Sequence, residues 1–164
     1  MDDDALKLDS QFCFAVYSAA HAVMRAYRPL LERLGLTYPQ YLVMLVLWER
    51  DGQAVGAIAD RLMLESSTLT PLLKRLEGMG LATRRRNPDN ERQLIVSLTP
   101  AGHQLKDEAA AIPPHILSCS GKGVTELANL REAIVGIRDS FAASRAGRGP
   151  SGGPEEGDPP AVDP

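Results

Sequence analysis

Apolar positions fall into helical spacing almost from the start of this chain. Between Asp9 and Leu34, Phe12, Val16, Ala19, Val23, Tyr27 and Leu30 recur every three or four residues, and Cys13, Tyr17, Ala20, Met24, Tyr27 and Leu31 form a neighbouring stripe. One long helix is expected there, with Asp9 as its N-cap and Pro29 kinking or ending it through the hydrogen bond it removes. Thr37 reads as the N-cap of a second helix with Pro39 in its first turn. Apolar nearly all round from Tyr41 to Trp48 and closed by Asp51-Gly52, it belongs in a core. A short amphipathic segment follows over Val55 to Leu62, with Ile58, Ala59 and Leu62 inward. After a brief turn, Ser66 or Ser67 is expected to cap a helix to about Met79, with Leu69, Leu72, Leu73 and Leu76 inside, Pro71 near its beginning and Gly80 as its stop.

The period then changes from helix to strand. Leu81 to Arg86, the turn Asn87-Pro88-Asp89-Asn90, and Gln93 to Leu98 with Leu94, Val96 and Leu98 alternating, read as a β-hairpin. Two short helices joined by a tight turn and followed at once by a basic hairpin make a winged helix-turn-helix. Thr99-Pro100 opens a further helix to about Ile112, which Pro113-Pro114 breaks. Ser120 to Gly123 reads as a loop before a final amphipathic helix carrying Leu127, Leu130, Ile134, Ile137 and Phe141. The fold class expected is therefore mainly α with a small β-hairpin wing, flanked by N- and C-terminal helices suited to dimerisation. One domain should span residues 1–146, with its DNA-binding core at about 53–99; residues 147–164, ten of them Gly or Pro, should form a disordered tail.

Charge sharpens this picture. The net charge of -3 taken whole argues weakly against nucleic acid, yet residues 61–106 hold eight Lys or Arg against four Asp or Glu, while the ends carry Asp2, Asp3, Asp4, Asp9, Glu155, Glu156, Asp158 and Asp163. A basic middle with acidic ends fits a local DNA-facing surface. On the presumed recognition helix, Ser67, Thr68, Thr70, Lys74 and Arg75 combine hydroxyls for base edges with cations for phosphates, and Arg84, Arg85, Arg86 and Arg92 line the wing. Arg92, just past the turn, suits a narrow minor groove, and Asp89 is placed to orient it by an ion pair. A charge run such as Arg84–Arg86 is, by itself, more often a solvated strand face.

The longest apolar run, Tyr41 to Trp48, is far short of the roughly 20 residues of a membrane span, and the acidic N-terminus lacks a secretory pattern, so a cytoplasmic location and no membrane partner are expected. Two cysteines more than a hundred positions apart do not make a disulfide framework. They are either buried filler or a redox pair. His21, His103 and His115 lack ligand spacing on one element, and no glycine-rich phosphate loop or paired carboxylates stand out, so neither metal nor other cofactor is expected.

The stretches Leu69-Thr70-Pro71-Leu72-Leu73-Lys74-Arg75-Leu76-Glu77, Asp89-Asn90-Glu91-Arg92 and Leu98-Thr99-Pro100-Ala101-Gly102 together resemble the MarR family of winged-helix regulators, in element order over roughly residues 8–142. Within it, Phe12-Cys13-Phe14, Tyr27-Arg28-Pro29-Leu30-Leu31 and Leu36-Thr37-Tyr38-Pro39-Gln40-Tyr41 are most similar to the organic hydroperoxide resistance (OhrR) branch. The resemblance implies a homodimer on a pseudo-palindromic double-stranded DNA operator, acting as a repressor rather than an enzyme. It further implies that Cys13 senses an organic hydroperoxide, that Tyr27 and Tyr38 of the other subunit hydrogen-bond its sulfur, and that a disulfide to Cys119 of the other subunit releases DNA. Tyr17, one turn beyond Cys13, would line the same pocket. With Asp9 as cap, Cys13 is the fourth helical residue, near the dipole end that favours a thiolate, though Asp9 and Asp2–Asp4 oppose one. Two alternatives stay open: a MarR-type regulator answering a phenolic or other small ligand, and a thiol peroxidase using both cysteines.

Overall fold

A computed structural model describes residues 6–146; the tail expected from residue 147 lies outside them. The chain divides into two units, one ending at Ser120 and one beginning at Gly121, taken here in turn.

In the first unit, a 3-10 turn at Leu8–Ser10 precedes α1 (Phe12–Arg33). Asp9 does not cap α1. The turn closes on itself, with the Gln11 amide donating to Leu8 O, and Gln11 in extended conformation becomes the N-cap. Cys13 is consequently the second helical residue, nearer the helix N-terminus than expected. Nor does Pro29 end the helix. The carbonyl that loses its donor is that of Arg25, an exposed residue, and the turn beyond Pro29 is held by Leu31, buried in the core. The helix stops at Gly35, whose φ of 67° lets the Leu36 amide turn back to Leu31 O.

Helix α2 (Tyr38–Glu49) is the central element, burying Gln40, Tyr41, Val43, Met44, Val46, Leu47 and Trp48. Its N-terminus is tied by the Thr37 amide donating to Gln40 Oε1 at 2.8 Å, which also satisfies the buried Gln40. Strand β1 (Gln53–Ala54), which the hydrophobic pattern does not announce, leads into α3 (Val55–Leu62). Helix α4 (Ser66–Gly78) buries Leu69, Leu73 and Leu76 against this core. Its N-cap is Glu65, not Ser66 or Ser67: the Glu65 carbonyl already receives the Thr68 and Leu69 amides, so Ser66 is helical.

The wing consists of β2 (Ala82–Asn87) and β3 (Asn90–Leu98), joined through Pro88-Asp89. Its antiparallel register sets Arg84 opposite Val96, Arg85 opposite Ile95 and Arg86 opposite Leu94. Strand β1 adds to the far edge of β3, giving the order β1-β3-β2. Helix α5 (Pro100–Ala109) starts from Thr99, whose Oγ1 accepts the Gly102 amide at 3.0 Å. Pro113 and Pro114 do not lie in a break. They are the second and third residues of α6 (Ile112–Ser120), where helical amides have no partner to lose. Cys119 therefore sits in the last turn of a helix rather than in a loop. In the second unit, α7 (Val124–Ala146) is one continuous helix.

Several hydrogen bonds lock wing, recognition helix and core together. Asp51 Oδ1, just past α2, accepts the Leu98 amide of β3 at 2.8 Å, and Asp51 Oδ2 lies 3.4 Å from His103 Nε2 on α5. Thr99 donates its hydroxyl to Gly80 O at 2.6 Å and its amide to Leu81 O at 3.0 Å. Trp48 Nε1 donates to Gly102 O at 2.8 Å, while Lys106 Nζ donates to Trp48 O at 3.1 Å. Gly102 is required here, because a Cβ would overlap the Leu81 carbonyl oxygen.

Candidate functional site

The exposed side of α4 and the wing present the expected polar and basic groups unequally. Ser67, Thr68, Lys74 and Arg75 are exposed. Thr70 is half-buried and its hydroxyl donates to Ser66 O at 2.8 Å, leaving it only as an acceptor. Arg84, Arg85 and Arg86 do not form one cationic run, because Arg84 is half-buried against α4 while Arg85 and Arg86 are exposed. Arg84 is turned inward beside fully buried Val96, and its Nη2 and Nε bond Glu77 Oε2 on α4 at 2.6 and 3.0 Å. Its amide adds a bond to Glu77 Oε1 at 3.3 Å. These hydrogen bonds, and then the Arg84 charge, hold the Glu77 carboxyl below the usual carboxylate range. Arg84 is thereby a strut between wing and recognition helix.

Arg85, Arg86 and Arg92 are exposed, with Arg86 Nη1 reaching Glu91 O at 3.5 Å. The ion pair expected between Asp89 and Arg92 is not formed among the described residues. The wing tip is instead braced by side-chain amides, Asn87 Oδ1 accepting the Asp89 amide at 3.0 Å and Asn90 Oδ1 the Arg92 amide at 3.2 Å. This leaves the exposed Arg92 guanidinium without an anionic partner among the described residues.

The thiol groups lie at the other end of the first unit. Cys13 and Cys119 are free and exposed. Tyr17, one turn after Cys13, is exposed and packs on His21 with ring centroids 4.3 Å apart. Tyr27 and Tyr38 meet edge to face at 5.0 Å where α1 crosses the start of α2. Tyr41 joins both, at 6.0 Å from Tyr27 and 6.5 Å from Tyr38, and contacts Trp48 at 6.2 Å. Tyr41 was not among the expected site residues, although its position three residues after Tyr38 on one helix signalled the contact. Burial is the main force raising the phenol pKa of Tyr27, Tyr38 and Tyr41 above the ordinary value, so all three hydroxyls stay protonated donors at neutral pH.

Cys13 meets neither Tyr27 nor Cys119 within one chain. Tyr27 follows Cys13 by 14 positions on one helix, about 21 Å at the α-helical rise. Ile112, at the start of α6, lies beside Leu30, Arg33 and Leu34. Seven further helical residues bring Cys119 back along α1 by about 10 Å at most, still roughly 15 Å short of Cys13 and beyond the Cα separation of about 7 Å that a disulfide tolerates. Among the described residues no group of three or more His, Cys, Asp or Glu is placed to hold a metal ion, and no helix is long and apolar enough to cross a membrane.

Comparison with known proteins places this arrangement. The family model described as transcriptional regulator SarA/Rot matches residues 25–109. The organic hydroperoxide resistance transcriptional regulator of Bacillus subtilis is 43% identical over 138 residues, 84% of this chain and 94% of that one. The chain belongs to the MarR-like winged-helix transcriptional regulators. Another such regulator, TtmR of Methylorubrum extorquens, is 50% identical over 145 residues, 88% of this chain and 74% of that one. Among solved structures, AbfR of Staphylococcus epidermidis in its reduced, DNA-bound form superposes with a TM-score of 0.74 at 35% identity, covering 87% of this chain and 98% of that one. Its disulfide form gives 0.60 at 34% identity, covering 89% and 97%. The named relatives are regulators of transcription, and the winged-helix fold is common to them and this chain.

Proposed function

We propose that this chain is a cytoplasmic, homodimeric repressor that binds a pseudo-palindromic operator and releases it when an organic hydroperoxide oxidises Cys13. The observation that carries this reading is the separation of an exposed thiol from a phenol pair built to serve it. The rings of Tyr27 and Tyr38 meet with centroids 5.0 Å apart, and Tyr27 lies about 21 Å along α1 from its own Cys13, which supports their supply by a second copy. The exposed Phe12, Phe14, Val16, Val23 and Met24 on α1 support such a pairing, since apolar side chains in that number call for a cover. The resemblance to a regulator named for organic hydroperoxide resistance, and to AbfR in reduced DNA-bound and disulfide forms, supports both the signal and the response.

In the reaction, the Cys13 thiolate attacks the distal peroxide oxygen, the O–O bond breaks, and the alkoxide leaves as an alcohol after taking a proton. Cys13 is left as a sulfenic acid. The Cys119 thiol of the other subunit then attacks the sulfenic sulfur, forming the disulfide and expelling water. The crosslink draws together helices whose spacing sets the two wing domains, and the oxidised dimer no longer matches both half-sites. Within each half-site, Ser67, Thr68, Lys74 and Arg75 face the major groove, Arg85 and Arg86 the phosphates, and Arg92 the minor groove. Asp89 serves by shaping the turn, Thr70 by accepting, and Arg84 by holding the wing to α4.

A cavity of about 300 Å³ between α2 and α5–α6, lined by Tyr41, Leu45, Trp48, Ala109 and Pro113, favours a second reading in which a small apolar ligand is the signal. One experiment separates the two: operator binding by wild type and Cys13→Ser, each with and without stoichiometric cumene hydroperoxide, followed by non-reducing gels. Release and an intersubunit crosslink in wild type alone are expected. If wild type stays bound and uncrosslinked, the peroxide reading falls and the ligand reading stands.

A further inference from the structure

Pro71 lies at the centre of the exposed side of α4. With Leu69, Leu73 and Leu76 marking the buried direction, a step of about 100° per residue puts Ser67, Pro71 and Lys74 within about 50° of the opposite direction. Thr68 and Thr70 sit roughly a quarter turn from the core instead. Pro71 is exposed, and α4 runs through it without interruption from Ser66 to Gly78. When this side of the helix enters a major groove, the pyrrolidine ring is among the groups nearest the base edges.

Two chemical consequences follow from a proline at this point. The ring has no hydrogen-bonding group, so among base edges it suits only the C5-methyl of thymine. It also has no N–H, so the Ser67 carbonyl, four residues back on the same face, loses its helical donor. A carbonyl with a free lone pair beside a base edge accepts from an exocyclic amine, N6 of adenine or N4 of cytosine. Thr70 cannot supply a competing donor on this face, because its hydroxyl hydrogen is engaged with Ser66 O.

We infer that Pro71 is a specificity-determining residue, its ring taking the methyl of one thymine per half-site while the Ser67 carbonyl it frees accepts from the amine of an adjacent adenine or cytosine. This rests on the DNA-binding reading above. Ser67 thus contributes through its backbone as well as its hydroxyl, and the two contacts together read a dinucleotide step.

The test uses the reduced full chain and duplexes enriched by it from a randomised library. Each thymine of an enriched duplex is replaced in turn by deoxyuridine, which lacks only the methyl, and affinities are measured for wild type, Pro71→Ala and Ser67→Ala. Wild type should lose about fourfold at one symmetric position per half-site, the factor expected for one buried methyl. Pro71→Ala, which regains the helical N–H, should show no loss there and a weakened preference for adenine or cytosine beside it. Ser67→Ala, which keeps its carbonyl, should retain both effects. Melting temperatures that do not fall in Pro71→Ala separate lost contacts from lost folding. Identical deoxyuridine profiles for wild type and Pro71→Ala overturn the inference alone, whereas failure of the wild type to enrich any duplex overturns the DNA-binding reading with it.

Discussion

Tyr27 and Tyr38 are half-buried and meet edge to face where α1 crosses the start of α2, the phenol pair the proposed function sets against Cys13. A hydrogen bond to a charged partner contributes about 1.5–3 kcal/mol, so Tyr27→Phe and Tyr38→Phe should each slow sulfenylation of Cys13 by about tenfold or more at neutral pH, read by dimedone labelling. Tyr17, exposed and stacked on His21, should matter less on the same assay. Glu77 gives a prediction with a pH sign. Its pKa is depressed in the folded chain, so the stability it contributes with Arg84 is complete above its unfolded value and is lost as pH falls through the depressed one. The melting temperature of wild type should therefore drop more steeply than that of Glu77→Gln below about pH 4, the ordinary carboxylate value.

At the scale of elements, the wing is aimed by the junction of α2, β3 and α5. Adding a Cβ at Gly102 forces the start of α5 away from Leu81, and the usual cost of overpacking predicts that Gly102→Ala destabilises by about 3 kcal/mol in urea unfolding. Trp48→Phe removes the indole bond to Gly102 O and should cost about 1 kcal/mol or somewhat more. The bodies of α2, the wing and α7 were legible in the sequence, as a run apolar nearly all round, an alternation about a turn and recurring apolar residues, and they stand close to where the pattern put them. What was not legible lay at ends and in pairings. Asp9 has the right chemistry for a cap, but the 3-10 turn before Gln11 took precedence, and Pro113-Pro114 reads equally as a break or a beginning. Strand β1, two residues long, carries no period at all and exists only through its pairing with Val96 and Ile95. Likewise, nothing in Arg84-Arg85-Arg86 distinguishes the inward arginine from the outward ones until Val96 fixes the register.

For the whole molecule, the exposed apolar side chains of α1, and separately Leu130, Ile134, Ile137 and Phe141 of α7, mark surface that a lone chain would leave in water. Sedimentation should give twice the 17.7 kDa of one chain. Phe12→Glu combined with Phe14→Glu should shift this toward the single-chain mass and abolish operator binding at concentrations that saturate wild type, because each half-site contact is then made alone. One further property comes from the ring chain running from Tyr27 and Tyr38 through Tyr41 to Trp48. Trp48 is the sole tryptophan, and its indole is bonded to the first turn of α5. Light absorbed by the Tyr27 and Tyr38 phenols will pass by resonance to that one indole, so the emission of the unlabelled protein carries, in a single colour, news from both the crossing of α1 with α2 and the root of the wing.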